Sequence, residues 1–302
     1  MTERVVVCIC TYRRPEPLAR LLRRIGESAA AAEDLVTTTV LVVDDDSMRS
    51  AESTVAQFSS NVEVHYEYSG SGNISTARNR AVAAGSRIGD WLAFVDDDCL
   101  PDIDWIRQLV VMQRETGVDC VSGRCIDEAP PGARAWLTDE PFLSGFPDDR
   151  DGDDIDMGFL KNTLISATFL RTASIRFDVE LGRAGGEDVM FFHDCHAAGL
   201  RHKYSARATV REMVPAERST LRYQLRHAFW YGNTEAITSV RSGRYSRRRM
   251  AAGGAKRVGT SSWRPIGRWW HRQPLQLRFA TAQVLRGVGR VVGACGFRVR
   301  HR

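Results

Sequence analysis

Short apolar runs alternate with amphipathic stretches through the first hundred residues. VVVCIC (5–10), TVLVVDDDS (39–47), VEVHYEY (62–68) and WLAFVDDD (91–98) are dominated by β-branched and aromatic residues and read as strands. Between them, 17–32, 51–59 and 74–86 carry apolar residues at helical spacing, the last entered through the glycine-rich turn SGSGN. A continuously apolar strand is covered on both faces, so this strand–helix alternation predicts a doubly wound α/β sheet. Pro101 and Asp102 then open a further helix over DWIRQLVVMQ. Open sheets of this kind bind ligands at the carboxyl ends of their strands. Thr11, Asp44, Asp45 and Asp96 all fall where a strand ends, which predicts one shared crevice.

Asp96, Asp97 and Asp98 close an apolar strand with three carboxylates in succession, a placement that calls for a cation. Alternate residues of an extended segment share a face, so Asp96 and Asp98 reach one hard cation together while Asp97 points away. The other reading is a solvated turn that caps the next helix. A second ordered region contains FLKNTLISATFLR and then GRAGGEDVMFFHDCHAAG, where two glycines precede Glu187 and Asp188 at a helix start. The intervening 127–158 is rich in Pro and Gly and reads as a surface loop. Its acids, Asp148, Asp149, Asp151, Asp153, Asp154 and Asp156, lack the spacing of an EF-hand.

Charge divides the 302 residues unevenly. Residues 241–302 hold 16 of the 42 Lys and Arg and no Asp or Glu, leaving residues 1–240 at a net −11. This predicts a main domain over 1–240 and a basic, helical extension over 241–302. As a helix, 275–292 puts Leu277, Val284, Leu285, Val288, Val291 and Val292 on one face and Arg278, Arg286 and Arg290 on another. With Trp263, Trp269 and Trp270 before it, the segment suits an anionic membrane surface; packing on the rest of the protein is the alternative. No nucleic-acid-binding motif accompanies the basic residues, so nucleic acid is not an expected partner. Seven cysteines without a CxxC pair suit a reducing compartment, with Cys8 and Cys10 as small core residues. With no signal peptide and no apolar run near the roughly 18 residues of a span, a cytoplasmic location is expected, peripheral at the inner face of the cell membrane if the tail docks there.

Five segments, CTYRRP (10–15), VVDDDS (42–47), ARNRAV (77–82), VDDDC (95–99) and GGED (185–188), resemble in order and spacing those of family 2 glycosyltransferases. The resemblance covers about residues 4–235. It implies a GT-A fold, a Rossmann-like mixed sheet flanked by helices, here with a basic helical C-terminal extension, a nucleotide-sugar donor and inverting transfer. On this resemblance Asp96 and Asp98 are the DxD pair, with Asp98 the direct ligand of Mg²⁺ or Mn²⁺ and Asp96 nearer the ribose. Arg78 approaches the diphosphate. Thr11, Arg14 and Asp45 hold the nucleobase and ribose, Asp45 by accepting the uracil imide proton, which favours a UDP-sugar although thymine offers the same edge. Asp44 either assists or caps the following turn. Asp188 is the general base, and Glu187 orients acceptor or loop.

REMVPAERSTLRYQLRHAFWYG (211–232) resembles a stretch of bacterial polysaccharide glycosyltransferases, with Glu212, Arg218, Arg226 and Gly232 filling its pattern. Glu212 stands where many GT-A enzymes place a metal-binding His, so the third metal ligand stays open. The QxxRW motif of processive synthases is absent, since Gln224 is followed by LRHAFW. The expected activity is a metal-dependent, non-processive transfer to a hydroxyl of a lipid-linked or saccharide acceptor, in polysaccharide or glycolipid synthesis. Sugar choice is expected to come from loops such as that around Lys161 and Asn162. A sugar nucleotidyltransferase is disfavoured because CTYRRPEP lacks a glycine-rich phosphate loop. A non-catalytic sugar-nucleotide scaffold is disfavoured by the intact Asp96, Asp98 and Asp188.

Overall fold

The computed structural model describes residues 2–143 and 150–299. It divides into a sheet unit (Met1–Asp127, Gly145–Arg183, Glu187–Met213) and a helical unit (Glu128–Ser144, Ala184–Gly186, Val214–Arg302). The boundary expected at 240/241 falls inside the second of these.

The sheet unit begins with β1 (Arg4–Thr11), α1 (Pro15–Ala30), β2 (Thr37–Asp44), α2 (Glu52–Gln57), β3 (Glu63–Tyr68), α3 (Ile74–Ile88) and β4 (Trp91–Val95), the order the hydrophobic pattern predicts. β5 (Cys99–Pro101), α4 (Trp105–Thr116), β6 (Cys120–Glu128), β7 (Asn162–Ser166), α6 (Ala167–Ala173, following the helical unit's α5 at Trp136–Asp139), α7 (Glu187–Ala197) and β8 (His202–Met213) follow. The strands lie in the order β3-β2-β1-β4-β7-β6-β8-β5. β1 to β4 pair in parallel, whereas β7 runs antiparallel to both β4 and β6, and β5 antiparallel to β8. The result is a mixed sheet, as the GT-A resemblance implies. Strand β2 stops at Asp44 instead of running to 47, because the Asp44 carboxylate accepts from the N–H of Asp46 (2.9 Å) and Ala51 (2.8 Å) and turns the chain.

Pleating sorts β1 into two cores. Val5, Val7 and Ile9 pack with Leu18, Leu22 and Ile25 of α1 and Trp105 and Leu109 of α4. Val6 and Cys8 face Ala77 and Ala81 of α3 and Phe191 and Phe192 of α7. Both layers are buried. In the acidic loop, Asp148 and Asp149 lie outside the described residues; Asp151 accepts from Ala206 N (2.8 Å) and Asp154 pairs with Lys203 (2.9 Å), so its described part is fastened to β8.

The helical unit contains α5, a 3₁₀ turn at Ala216–Ser219, α8 (Leu221–Arg241), α9 (Arg247–Trp270) and α10 (Leu277–Ala294). Here the sequence reading needs correction. The buried residues of α10 are Ala280, Ala282, Gly287, Gly289, Gly293 and Ala294, not the Val and Leu stripe. A Cβ on Gly289 would lie 2.1 Å from Phe229 O of α8, and one on Gly287 2.7 Å from Gly254 O of α9, so bare backbone forms the seam. The arginines expected to face lipid are ion-paired: Arg286 and Arg290 with Glu235 (3.2 and 2.5 Å), and Arg278 with Glu140 (3.2 Å). Among the described residues no helix is long and apolar enough to cross a membrane.

Candidate active site

Parallel register sets Thr11 opposite Asp44 at the ends of β1 and β2. The buried Thr11 hydroxyl donates to Asp97 Oδ2 (2.7 Å). Arg14 Nη1 donates to Asp97 Oδ1 (2.9 Å) and Asp98 Oδ2 (2.6 Å). Asp97 is therefore turned inward and ties the entrance of α1 to the end of β4. Burial raises its carboxyl to about 6 in spite of Arg14. Asp44 is committed to the turn, since besides its two backbone donors it accepts from the Tyr66 hydroxyl (3.1 Å). Asp45 differs: its Oδ1 accepts from Ser69 Oγ (2.6 Å), Ser71 Oγ (2.8 Å) and Ser71 N (3.0 Å), while none of these reaches Oδ2. The SGSGN turn can bring its serines to Asp45 because Gly70 and Gly72 adopt left-handed φ of 58° and 56°.

Arg78, from α3, is buried rather than spread on a helix surface. Its Nη1 donates to Glu187 Oε1 (2.7 Å), and its Nη2 lies 3.6 Å from Asp96 Oδ1. Desolvation alone would weaken this cation, but Glu187, Asp96 and Asp188 more than offset it and hold the guanidinium charged. Glu187 is thus occupied by Arg78. Asp188, next along the first turn of α7, accepts from Val189 N (2.9 Å). Burial, and then the neighbouring Glu187, push its carboxyl well above the ordinary carboxylate range despite Arg78.

Asp98 meets a different set of groups. β5 and β8 pair Cys99 with Glu212, which brings donor atoms of Asp98, Cys99 and Glu212 within 4.8 Å of one another. Burial first, and then Asp96, Asp98 and Glu212, hold the Cys99 thiol well above its usual range, so it stays neutral. The usable donors are carboxylate oxygens, a set that fits a hard divalent cation. Asp96 falls outside this group and is turned toward Arg78. Lys161 Nζ bridges Glu212 Oε2 (3.0 Å) and Asp127 Oδ1 (3.2 Å). Asn162, expected with Lys161 near the sugar, is instead a structural clasp: its amide accepts from Trp105 Nε1 (2.7 Å) and donates to Ala208 O (2.8 Å) and Arg124 O (2.9 Å).

Residues 6–206 match the model of the family described as Glycosyl transferase family 2. The chain belongs to glycosyltransferase family 2. This glycosyltransferase is 32% identical over 235 residues to the succinoglycan biosynthesis protein ExoM of Rhizobium meliloti (strain 1021), covering 77% of this chain and 74% of ExoM. It shares its fold with TarS (residues 1–349) of S. aureus. The TarS 1–349 structure in complex with UDP-GlcNAc matches at a TM-score of 0.57 and 15% identity, over 97% of this chain and 90% of that fragment. The complex with UDP matches at 0.55 and 14%, over 99% and 93%. Three participants in the glycosyltransferase cleft escaped the sequence reading. Asp97, expected to point away, is held by Thr11 and Arg14; Asp127 carries no local signal; and Arg183, whose guanidinium donates to Gly72 O (3.3 Å) and Ser71 O (3.0 Å), looks like any surface arginine.

Proposed function

We propose that this enzyme transfers a sugar, with inversion, from a UDP-type donor to an acceptor hydroxyl, non-processively and with a divalent cation, in bacterial polysaccharide or glycolipid synthesis. The observation that carries the reading is the division of labour in the ED pair: Glu187 is held by Arg78, while Asp188 is left with a raised pKa. A carboxylate with such a pKa suits proton abstraction from the acceptor hydroxyl as the anomeric carbon is attacked. Arg78, kept cationic by its carboxylates, is suited to the diphosphate on the leaving side. Asp45 Oδ2, with Oδ1 fixed by two serines, is suited to accept the imide N–H of uracil; the UDP and UDP-GlcNAc complexes of TarS support the same donor class. Asp98 and Glu212, with Asp96 beside them, would hold Mg²⁺ or Mn²⁺, which when bound offsets charge on the diphosphate. The ExoM likeness supports a polysaccharide product.

The test pairs two measurements. A UDP-sugar should stabilise the protein against heat more strongly with Mn²⁺ than without, and Asp188→Asn should keep that stabilisation while lowering UDP release by roughly 10²- to 10⁴-fold. Metal-independent donor binding, or near-normal turnover in Asp188→Asn, overturns the reading.

A further inference from the structure

The stretch 211–232 holds arginines that the cleft does not use, Arg222 and Arg226 among them. Arg226 lies within the helical unit, where the N-terminal half of α8 walls a cavity of about 560 Å³. Arg222 and Arg226, one helical turn apart, line it together with Tyr223, His227 and Trp230. The three rings form a continuous wall, Tyr223 stacked on His227 (centroids 5.8 Å apart, planes at 10°) and His227 tilted against Trp230 (5.4 Å, 36°). Leu225, Phe229, Leu285 and Val299 supply an apolar remainder.

Both arginines are exposed, and they differ from three arginines of α10. Arg278, Arg286 and Arg290 each pair with a glutamate, whereas neither Arg222 nor Arg226 meets a carboxylate among the described residues. A guanidinium fork matches the oxygens of a phosphoryl group, and aromatic faces suit the C–H faces of a sugar ring. The wall is also fixed in advance. Trp230 Nε1 donates to Ala184 O (3.2 Å), and its ring lies so close over Gly185, at φ 86°, that a Cβ there would fall 2.3 Å from Cζ2. Ala184 and Gly185 belong to the turn that leads, in sequence, into Glu187 and Asp188.

We propose that this cavity binds a glycosyl phosphate, with phosphoryl oxygens at Arg222 and Arg226 and the sugar against the aromatic wall. The phosphate could be free or carried on a lipid, and the apolar lining would receive the first carbons of a lipid chain.

The test uses the full chain without donor and follows tryptophan fluorescence. Titrants are farnesyl diphosphate-linked glucose, galactose and N-acetylglucosamine, then glucose 1-phosphate, glucose, and inorganic diphosphate. Saturable quenching by at least one glycosyl phosphate, tighter than by glucose or diphosphate, is the expected result. Tighter binding of the farnesyl compounds than of glucose 1-phosphate assigns a lipid-linked source, and equal binding a free one. Arg222→Gln and Arg226→Gln should each weaken binding roughly tenfold, the loss of one charge-assisted hydrogen bond, and leave the thermal shift produced by UDP unchanged. Absence of saturable quenching, inorganic diphosphate binding as well as every glycosyl phosphate, or unaltered affinity in both variants overturns the proposal. So does a parallel loss of the UDP shift, whereas failure of the donor reading leaves the quenching intact.

Discussion

The two units settle an excess of charge in opposite ways. In the sheet unit, Asp96, Asp97, Asp98, Glu187, Asp188 and Glu212 crowd around Arg14, Arg78 and Lys161. Carboxylates outnumber cations, and the pKa values of Asp96, Asp97 and Asp188 rise accordingly, with burial the leading cause. In the helical unit the excess is positive: Glu140 and Glu235 take three arginines of α10, while Arg222 and Arg226 meet no carboxylate among the described residues. The buried negative excess costs stability and is tolerable where a counter-charge arrives from outside, whereas the exposed arginines are solvated. The negative excess suits a cation, and the positive one an anionic partner.

The comparison is broken most sharply by removing one charge from each side. Arg78→Gln strands a buried glutamate, and denaturant unfolding should register a loss of about 3–5 kcal/mol. Glu235→Gln in the half-buried cluster of the helical unit should cost only about 1 kcal/mol. Equal costs would mean that the cleft is no more desolvated than the α8–α10 seam.

A pH series sharpens the same contrast. The folded pKa of Asp97 is raised from 3.8 to about 6, so between these values the folded state keeps a proton that the unfolded state has lost. Stability from this group is therefore present at low pH and declines as pH rises toward about 6, by about 3 kcal/mol in all. Asp97→Asn should flatten that decline in stability measured between pH 4 and pH 7. An unchanged slope would assign the titration elsewhere.

The smallest effect concerns the far end of α9. Trp263, Trp269 and Trp270 are 69%, 66% and 77% exposed, and no acidic residue follows Glu235. Co-sedimentation with vesicles containing phosphatidylglycerol should weaken with salt, each basic residue near the surface contributing about 1 kcal/mol, and should fail for a Trp263→Ser/Trp269→Ser/Trp270→Ser variant. Binding that persists in this variant would remove the tryptophans from the attachment.

Legibility followed the kind of packing. β1 to β4 and their helices could be read because large apolar side chains mark a dry strand, and strand ends mark a crevice. The α10 seam could not, because glycines and alanines make it and a hydrophobic pattern does not register a missing side chain. Asp44 and Asp45 look equivalent in sequence, and only the fold tells the turn cap from the residue with a spare oxygen. Glu212 stands in the sequence where relatives place a His, which leaves the third ligand open, and its approach to Asp98 depends on the pairing of β5 with β8, a register between segments far apart in the chain. Asn162 misled because a polar residue beside Lys161 suggests a sugar, while its partners come from three other segments.

The bond between Glu140 and α10 has a temporal side. The Glu140 carboxylate, 6% exposed once folded, accepts from Arg278 Nη1 and from Phe279 N, partners that lie 138 and 139 residues later. At a synthesis rate of about 5–20 residues per second, that carboxylate waits on the order of ten seconds before its counter-ion leaves the ribosome. Until then the segment carrying Trp136 and Phe142 lacks the Phe279 ring against which Phe142 finally rests, edge to face at 5.5 Å. The helical unit can close only after α10 has been made, and the nascent protein carries an unburied aromatic segment throughout that wait.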